Sequence, residues 1–137
     1  MADRALEYSD VSTGDSGPSS SHPLTRTDLV MYAGASGDFN PMHHDEIAAR
    51  QAGLPSVFGH GMFTAGLLAT AVTNYVGIAN LKSYRVRVTK QTWPGEVLTT
   101  SVPGRAKRPG DEVVTRCSVG HERAEAERRR VAGGGPP

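Results

Sequence analysis

The stretch from Gly61 to Val76 constrains the fold more than any other part of the sequence. It reads GMFTAGLLATAVTNYV, and apolar or small residues cover almost every side of a helix drawn through it. A helix of that composition is typically buried rather than half exposed. At about 1.5 Å per residue it would be about 24 Å long, the width of a small domain. It is too short, and too interrupted by Thr and Asn, to cross a bilayer. The sequence therefore predicts a buried central helix.

Three β-rich runs follow this helix. Tyr84, Val86 and Val88 alternate with polar residues, and the runs 97–102 and 112–119 are separated by Pro-Gly turns. Consecutive strands joined by turns indicate an antiparallel sheet. We therefore predict an α+β fold in which one long helix lies in a curved antiparallel sheet.

Two shorter helices are predicted before the long one. Thr25 and Asp28 have the spacing of a capping box, and Gly34 and Gly37 would end the helix that starts there. Its predicted buried face consists of Leu29, Val30, Tyr32 and Ala33. A second, short helix opens at 44–46.

Sequence composition divides the chain into three parts. Residues 1–23 form an N-terminal arm with a first turn or strand, and residues 24–120 form one domain. Residues 121–137 are charged and end in Gly and Pro, so we expect a poorly ordered tail.

Charge and cysteine usage limit the classes of function. The 137 residues contain 15 Lys and Arg against 14 Asp and Glu, which argues against a nucleic-acid-binding protein. The single cysteine, Cys117, suits a reducing compartment, and the N-terminus lacks the apolar run of a signal peptide. We expect a cytoplasmic protein with no membrane partner.

The segment 36–43, SGDFNPMH, holds the strongest candidate for chemistry. Pro41 prevents a regular helix there, so the loop can direct the side chains of Asp38 and His43 into one cavity. A carboxylate beside an imidazole is a proton-transfer pair. The same residues also suit an ordinary turn, in which Asp38 and Asn40 bond their own backbone.

His60 and Gly61 precede the long helix directly. The first amides of a helix lack internal acceptors and lie at its positive end, so the Gly61 N–H could bond a substrate carbonyl on which negative charge develops. For His60 itself a structural role is the preferred interpretation.

Other chemistries are disfavoured. Asp38, His43, His44 and Asp45 lack a familiar metal-ligand spacing, so no metal is expected. Cys117 lies in a strand pattern and is interpreted as a small hydrophobe rather than a nucleophile.

Two segments together resemble the MaoC-like, or R-specific enoyl-CoA hydratase, family. They are YAGASGDFNPMH at 32–43, followed by His60-Gly61-Met62, with further similarity in YRVRVTKQTWPGE at 84–96. The resemblance covers about residues 24–102 and places the MaoC-like domain at 24–120. It fades after about Val102, which raises the hypothesis that the family's last strand has been replaced, leaving an exposed sheet edge if that strand is missing.

The resemblance implies a hot-dog fold and the addition of water to a trans-2-enoyl thioester, or its reverse. It implies that Asp38 and His43 activate the water, that the Gly61 N–H polarises the thioester carbonyl, and that Asn40 orients the loop. Phe58, Met62 and Phe63 would line the acyl tunnel, with Leu67 more suited to the core. The substrate would be an acyl-CoA or acyl-carrier-protein thioester, and no cofactor is needed.

The sequence leaves alternatives open for the oligomeric state and for the activity. Family members usually pair two hot-dog units side by side, so a homodimer or a heterodimer with another hot-dog subunit is expected. One alternative is a low-activity or non-catalytic subunit of a heteromeric dehydratase. A weaker one is a hot-dog thioesterase, whose usual acidic residue on the central helix is absent between Gly61 and Gly77.

Overall fold

The computed structural model describes residues 6–103, 106–108, 110, 112–115 and 117–123. The chain divides into two compact units. One comprises Met1–Ser21, Ala65–Arg87 and Thr99–Gly120, and the other comprises His22–Thr64, Val88–Leu98 and His121–Pro137.

Three α-helices and five strands make up the described chain. The helices are α1 (Arg26–Ser36), α2 (Glu46–Gln51) and α3 (Gly61–Val76), with 3-10 turns at Tyr8–Asp10, Pro41–His43 and Ile78–Asn80. The strands are β1 (Ser20–Pro23), β2 (Glu96–Ser101), β3 (Ala106–Arg108), β4 (Glu112–Val114) and β5 (Ser118–Arg123). One sheet has the order β1-β2-β5, and β3 pairs with β4 in an antiparallel hairpin. Within the described ranges, no helix is long and apolar enough to span a membrane.

Helix α1 begins and ends on local signals that the sequence displays. The Thr25 side chain accepts from the Asp28 amide while the Asp28 side chain accepts from the Thr25 amide, which confirms the predicted capping box. Gly37 ends the helix with a left-handed φ of 75°, a conformation that favours glycine. The predicted buried face is too wide, because Leu29 and Ala33 are buried whereas Val30 is 62% exposed.

Helix α3 has the predicted bounds but not the predicted burial. Of its residues, Ala65, Leu68 and Val72 are buried, and their spacing of three and four places them on one stripe. Met62 is 65% exposed. The expectation of burial on all sides is therefore wrong for this chain, because an apolar composition does not decide how many faces a helix packs.

The strand predictions are confirmed in part. β2 matches the run predicted at 97–102, whereas the run at 112–119 is split into β4 and β5. The alternating segment 84–88 forms no strand, although the structure describes all of it. Alternation predicts an extended backbone, but a strand also needs a hydrogen-bonded neighbour, and the alternation does not specify one.

The two flanking regions are more structured than the sequence suggests. In the N-terminal region Val11 is buried, and the Gly17 amide donates to the Val102 carbonyl at 2.8 Å. β5 continues past 120 to Arg123 and neighbours β2, so the described part of the predicted tail contains a strand. There the His121 ring bonds the Glu96 carboxylate at 3.0 Å. Residues 124–137 lie outside the described chain.

Candidate active site

The loop between α1 and α2 presents Asp38 and His43 in a conformation that local hydrogen bonds define. Asn40 precedes the 3-10 turn that begins at Pro41, and its side chain accepts from the Met42 amide at 3.1 Å. Its carbonyl accepts from the His43 amide at 3.0 Å. The Asp38 carboxylate in turn accepts from the Asn40 amide at 3.3 Å. The loop is therefore a capped turn that carries the acid at its start and the histidine at its end.

The hydrogen bond of His43 defines its tautomer. Its Nδ1 lies 2.7 Å from the Phe58 carbonyl oxygen, which can only accept, so Nδ1 carries the proton. In the neutral ring Nε2 is then a bare acceptor, and it lies 3.9 Å from Oδ2 of Asp38. The His43 side chain is 8% exposed and that of Asp38 is 51% exposed. The pair thus has a buried base and a half-open carboxylate.

The 3.9 Å separation of Nε2 and Oδ2 suits a bridging water better than a direct hydrogen bond. A direct bond to a carboxylate would be about 2.7–2.9 Å long. A water beside the line that joins the two atoms can lie at the usual ~2.8 Å from each of them. Two acceptors facing one water can remove a proton from it, which is the geometry of general base catalysis.

His60 lies against His43 and is almost completely buried, with 1% exposure. The two rings are stacked, with centroids 3.8 Å apart and planes 28° from parallel. The Nε2 of His60 lies 3.2 Å from the Asp38 carbonyl oxygen, so this nitrogen is the donor. Burial lowers the pKa of His60, and the neighbouring His43 lowers it further, so the ring is neutral near pH 7.

At the start of α3, two glycines let the backbone lie close to neighbouring residues. The Gly59 amide donates to the Thr92 carbonyl at 2.7 Å, and a Cβ on Gly59 would collide with the Thr92 hydroxyl. A Cβ on Gly61 would lie 3.3 Å from a methyl group of Val88. The Gly61 amide belongs to the first turn of the helix, where amides have no intrahelical acceptor and the macrodipole is positive. It can therefore bond an oxygen that acquires negative charge.

The apolar residues predicted to line a tunnel have different environments. The Phe58 ring meets His43 edge to face, with centroids 4.8 Å apart, and it contacts Trp93 in the same way at 6.0 Å. The Phe63 ring lies 5.5 Å from that of Tyr32, and Met62 is exposed. Phe58 is thus the predicted tunnel residue that contacts the Asp38–His43 pair directly. Leu67 is half-buried further along α3.

Three side chains at the Asp38–His43 pair carry atoms of the kind that can bind a metal ion. Donor atoms of Asp38, His43 and His60 all lie within 4.8 Å of one another. However, the lone pairs of two stacked imidazoles lie in nearly parallel planes and do not converge on one ion. The other two predicted candidates have local roles. Nε2 of His44 bonds the Phe39 carbonyl at 3.1 Å, and the Asp45 side chain caps α2. The geometry favours ring stacking over coordination.

Sequence analysis did not predict the ring contacts of His60 and Tyr32. The Tyr32 ring lies 4.8 Å from that of His60, so three rings, Tyr32, His60 and His43, form a continuous row. The sequence signal for a buried histidine was the position of His60, directly before an apolar helix whose first residues are expected to lie in the interior. The acceptor of His43, a backbone carbonyl, has no sequence signal at all.

Comparison with known proteins shows the family of this chain. A family model described as a MaoC like domain matches residues 13–128, a wider range than the predicted 24–102. The 3-hydroxyacyl-thioester dehydratase Y of Mycobacterium tuberculosis is 40% identical over 90 residues, which cover 60% of this chain and 31% of that protein. The probable enoyl-CoA hydratase 2 of Dictyostelium discoideum is 33% identical over 76 residues, 53% of this chain and 26% of that protein. The chain thus spans less than a third of these curated relatives.

Solved structures show the same fold. Unliganded R-hydratase PhaJ1 from Pseudomonas aeruginosa superposes with a TM-score of 0.77 at 22% identity, covering 86% of this chain and 77% of that one. A MaoC-like dehydratase superposes with a TM-score of 0.63 at 30% identity, covering 87% of this chain and 42% of that one. The predicted α+β hot-dog fold is therefore confirmed. Because the family model covers most of its length, the chain belongs to the MaoC-like dehydratase family.

Proposed function

We propose that the protein adds water to a trans-2-enoyl thioester, or removes it from the corresponding (R)-3-hydroxyacyl thioester. The observation that carries this proposal is the bare Nε2 of buried His43, which lies 3.9 Å from Oδ2 of Asp38, so that one water can bond both atoms. The relatives named as dehydratase and hydratase support the same chemistry. We place the reaction in the cytoplasm, and its carrier is CoA or acyl-carrier protein.

In the proposed hydration, one water supplies both groups that are added, the hydroxyl on carbon 3 and the hydrogen on carbon 2. His43 and Asp38 hold this water, and its oxygen attacks carbon 3 of the enoyl group while one O–H bond breaks and the pair accepts that proton. A proton from the pair is then delivered to carbon 2. Since the acid and the base lie on one side of the substrate, both additions occur on the same face.

The thioester itself stabilises the transition state, so the reaction needs no cofactor. As water adds, negative charge moves from carbon 3 through carbon 2 to the thioester oxygen. The Gly61 amide, at the positive end of α3, is the group we assign to this oxygen. One donor of this kind is worth about 100- to 1,000-fold in rate. Phe58, Met62 and Phe63 are the residues we assign to the acyl chain.

The test replaces each member of the pair with a polar residue that cannot accept the proton. Asp38→Asn and His43→Gln should each reduce the rate of crotonyl-CoA hydration by about 100- to 10,000-fold, the usual contribution of general acid-base catalysis. The measurement is the loss of the enoyl-thioester absorbance with purified protein, after circular dichroism has shown that the variants are folded.

His44→Gln is the matched control. His44 is exposed and adjacent to His43, and glutamine can still donate to the Phe39 carbonyl. This variant should keep the parental rate. Parental rates in both Asp38→Asn and His43→Gln would refute the catalytic assignment, and release of free thiol would indicate a thioesterase instead.

A second candidate is a subunit that works only with another hot-dog chain. A structural neighbour with 24% identity is a complex of two chains, ChsH1 and ChsH2, from Mycobacterium tuberculosis. In the present chain the segment 84–88 exposes Tyr84, Val86 and Val88, which are 36%, 45% and 57% exposed. A segment that forms no strand with the described residues, and that exposes apolar side chains, suits another polypeptide.

Light scattering combined with the hydration assay separates these two candidates. A stable and active homodimer supports the first proposal. A purified chain that is inactive alone, and that gains activity when a second hot-dog chain is added, supports the heteromeric subunit.

A further inference from the structure

We propose that His60 is a positioning residue that sets the ring plane of His43 and the backbone of Asp38 together. This inference rests on the proposed hydratase function and deepens it. It assigns to His60 a role that the capped turn alone does not provide, since that turn orders the loop but does not contact the faces of the His43 ring.

The first step concerns the His43 ring. The hydrogen bond from Nδ1 to the Phe58 carbonyl fixes one edge, but a single bond of 2.7 Å still allows the ring to tilt about it. The His60 ring covers one face at 3.8 Å, and the edge of Phe58 adds a contact at 4.8 Å. Together these contacts restrain the ring in the orientation in which Nε2 lies 3.9 Å from Oδ2 of Asp38.

The second step concerns Asp38. Its side chain is half exposed and therefore has few packing restraints. The Nε2–H of His60 donates to the Asp38 carbonyl at 3.2 Å and so ties the backbone of this residue to the start of α3. One side chain thus contacts both members of the acid-base pair, the imidazole through its face and the acid through its main chain.

The third step concerns charge. His60 is neutral because burial lowers its pKa, so its ring can remain stacked when His43 takes up a proton. A cation over an aromatic face is attracted to it, whereas two stacked cations would repel each other. The Nδ1 of His60 is buried and has no hydrogen-bond partner among the described residues. A phenylalanine at this position could pack without leaving a nitrogen unsatisfied. It would, however, have no donor for the Asp38 carbonyl.

Two variants separate the two contacts. His60→Gln keeps an N–H donor near the Asp38 carbonyl but removes the stacked ring. His60→Phe keeps the ring and removes the donor. Each should lower kcat about 10- to 100-fold with KM changed less than about twofold, because misplacing a catalytic group by about 1 Å costs up to about 100-fold.

Thr64→Val is the matched control. Thr64 lies one helical turn after His60 and carries the other buried polar atom without a partner in the described chain. This variant perturbs the same interior region without touching the pair, so kcat should remain parental. All rates are normalised to the folded fraction measured by circular dichroism.

A nuclear magnetic resonance measurement tests the positioning without any turnover. The buried Nδ1–H of His43, bonded to a carbonyl at 2.7 Å, should give a sharp downfield proton signal in the parental protein. His60→Gln should broaden or shift this signal, whereas His60→Phe should retain it and instead speed hydrogen exchange at the Asn40 amide. Thr64→Val should leave both observations unchanged.

These readouts separate two kinds of failure. A parental chain that hydrates no enoyl thioester refutes the proposed function, and the His43 signal still decides whether His60 positions the ring. An unchanged His43 signal in His60→Gln, or parental kcat in both His60 variants, overturns the positioning role. A fall in melting temperature with parental kcat per folded molecule likewise overturns it and leaves a packing role.

Discussion

Asn40 organises the loop that carries Asp38 and His43 through three hydrogen bonds. Its side chain accepts from Met42, its carbonyl accepts from His43, and its amide donates to the Asp38 carboxylate. The side-chain bond resembles a helix N-cap, where replacement by alanine usually costs about 0.5–2 kcal/mol. Asn40 therefore links the conformations of the acid and the base, although its side chain bonds neither of their reactive groups.

Asn40→Ala should lower kcat for enoyl-thioester hydration about tenfold, because the loop that carries the pair loses its cap and samples other conformations. Asn40→Asp should restore most of the rate, since aspartate accepts from the Met42 amide equally well. Steady-state kinetics on both variants tests this, and equal rates in Asn40→Ala and the parental protein would contradict it.

At the residue scale, the sequence shows which side chains are candidates for chemistry better than it shows which groups they contact. Asp38, Asn40 and His43 stand out because Pro41 excludes a regular helix, and residues of these types are then close enough to interact. The stacking of His60 on His43 depends on a contact between residues 17 apart, at the ends of two different segments. No local pattern specifies such a contact, which is why the sequence favoured a structural role for His60.

At the element scale, the packing of α3 depends on a glycine far from it in sequence. A Cβ on Gly17 would lie 2.6 Å from Cδ1 of Tyr75 and 3.0 Å from Cβ of Val102. The Tyr75 hydroxyl donates to the Ser16 carbonyl at 3.3 Å, so the ring cannot move away freely. Close packing between this segment and α3 therefore requires a residue without a side chain.

Gly17→Ala should destabilise the protein by about 1–3 kcal/mol through overpacking, which corresponds to a melting temperature lower by about 3–10 °C. Gly66→Ala is the control, because Gly66 lies within α3 with no atom near its Cβ position, and alanine should stabilise the helix by about 0.5–1 kcal/mol. Thermal unfolding by circular dichroism measures both. A Gly17→Ala protein as stable as the parent would contradict the proposed steric conflict.

Local signals explain which elements the sequence could predict. The caps of α1 and the composition of α3 are local signals, so the bounds of both helices could be predicted from the sequence. β5 pairs with β2, whereas the segment 84–88 has no strand neighbour among the described residues. Strand pairing is a non-local property, so the β-rich run at 97–102 predicted β2 correctly, whereas the alternation at 84–88 predicted a strand that does not form.

At the scale of the whole molecule, stability in acid depends on Glu46. Arg26 donates to its carboxylate at 2.9 Å, and Ser56 and Arg50 donate as well. These hydrogen bonds, that of Arg26 above all, lower the pKa of Glu46 to about 2. Because the folded pKa lies below the ordinary value of about 4.5, the unfolded chain takes up this proton first. The stabilisation is complete above about pH 4.5 and is lost as the pH falls towards 2.

Glu46→Gln should therefore melt at a lower temperature than the parental protein at pH 7, and the difference should shrink as the pH falls from about 4.5 to about 2. Thermal unfolding at a series of pH values measures it. A difference that stays constant over this range would show that the charge of Glu46 does not contribute.

The tautomer of His43 limits how protons can reach the site. Because Nδ1 is occupied by a peptide carbonyl, the imidazole gains and loses protons through Nε2 alone, so it cannot relay them from one of its sides to the other. Because Asp38 is the more exposed member of the pair, proton exchange with bulk solvent is expected through its carboxylate. A substrate lying over that carboxylate would isolate the pair from the surrounding water during each turnover.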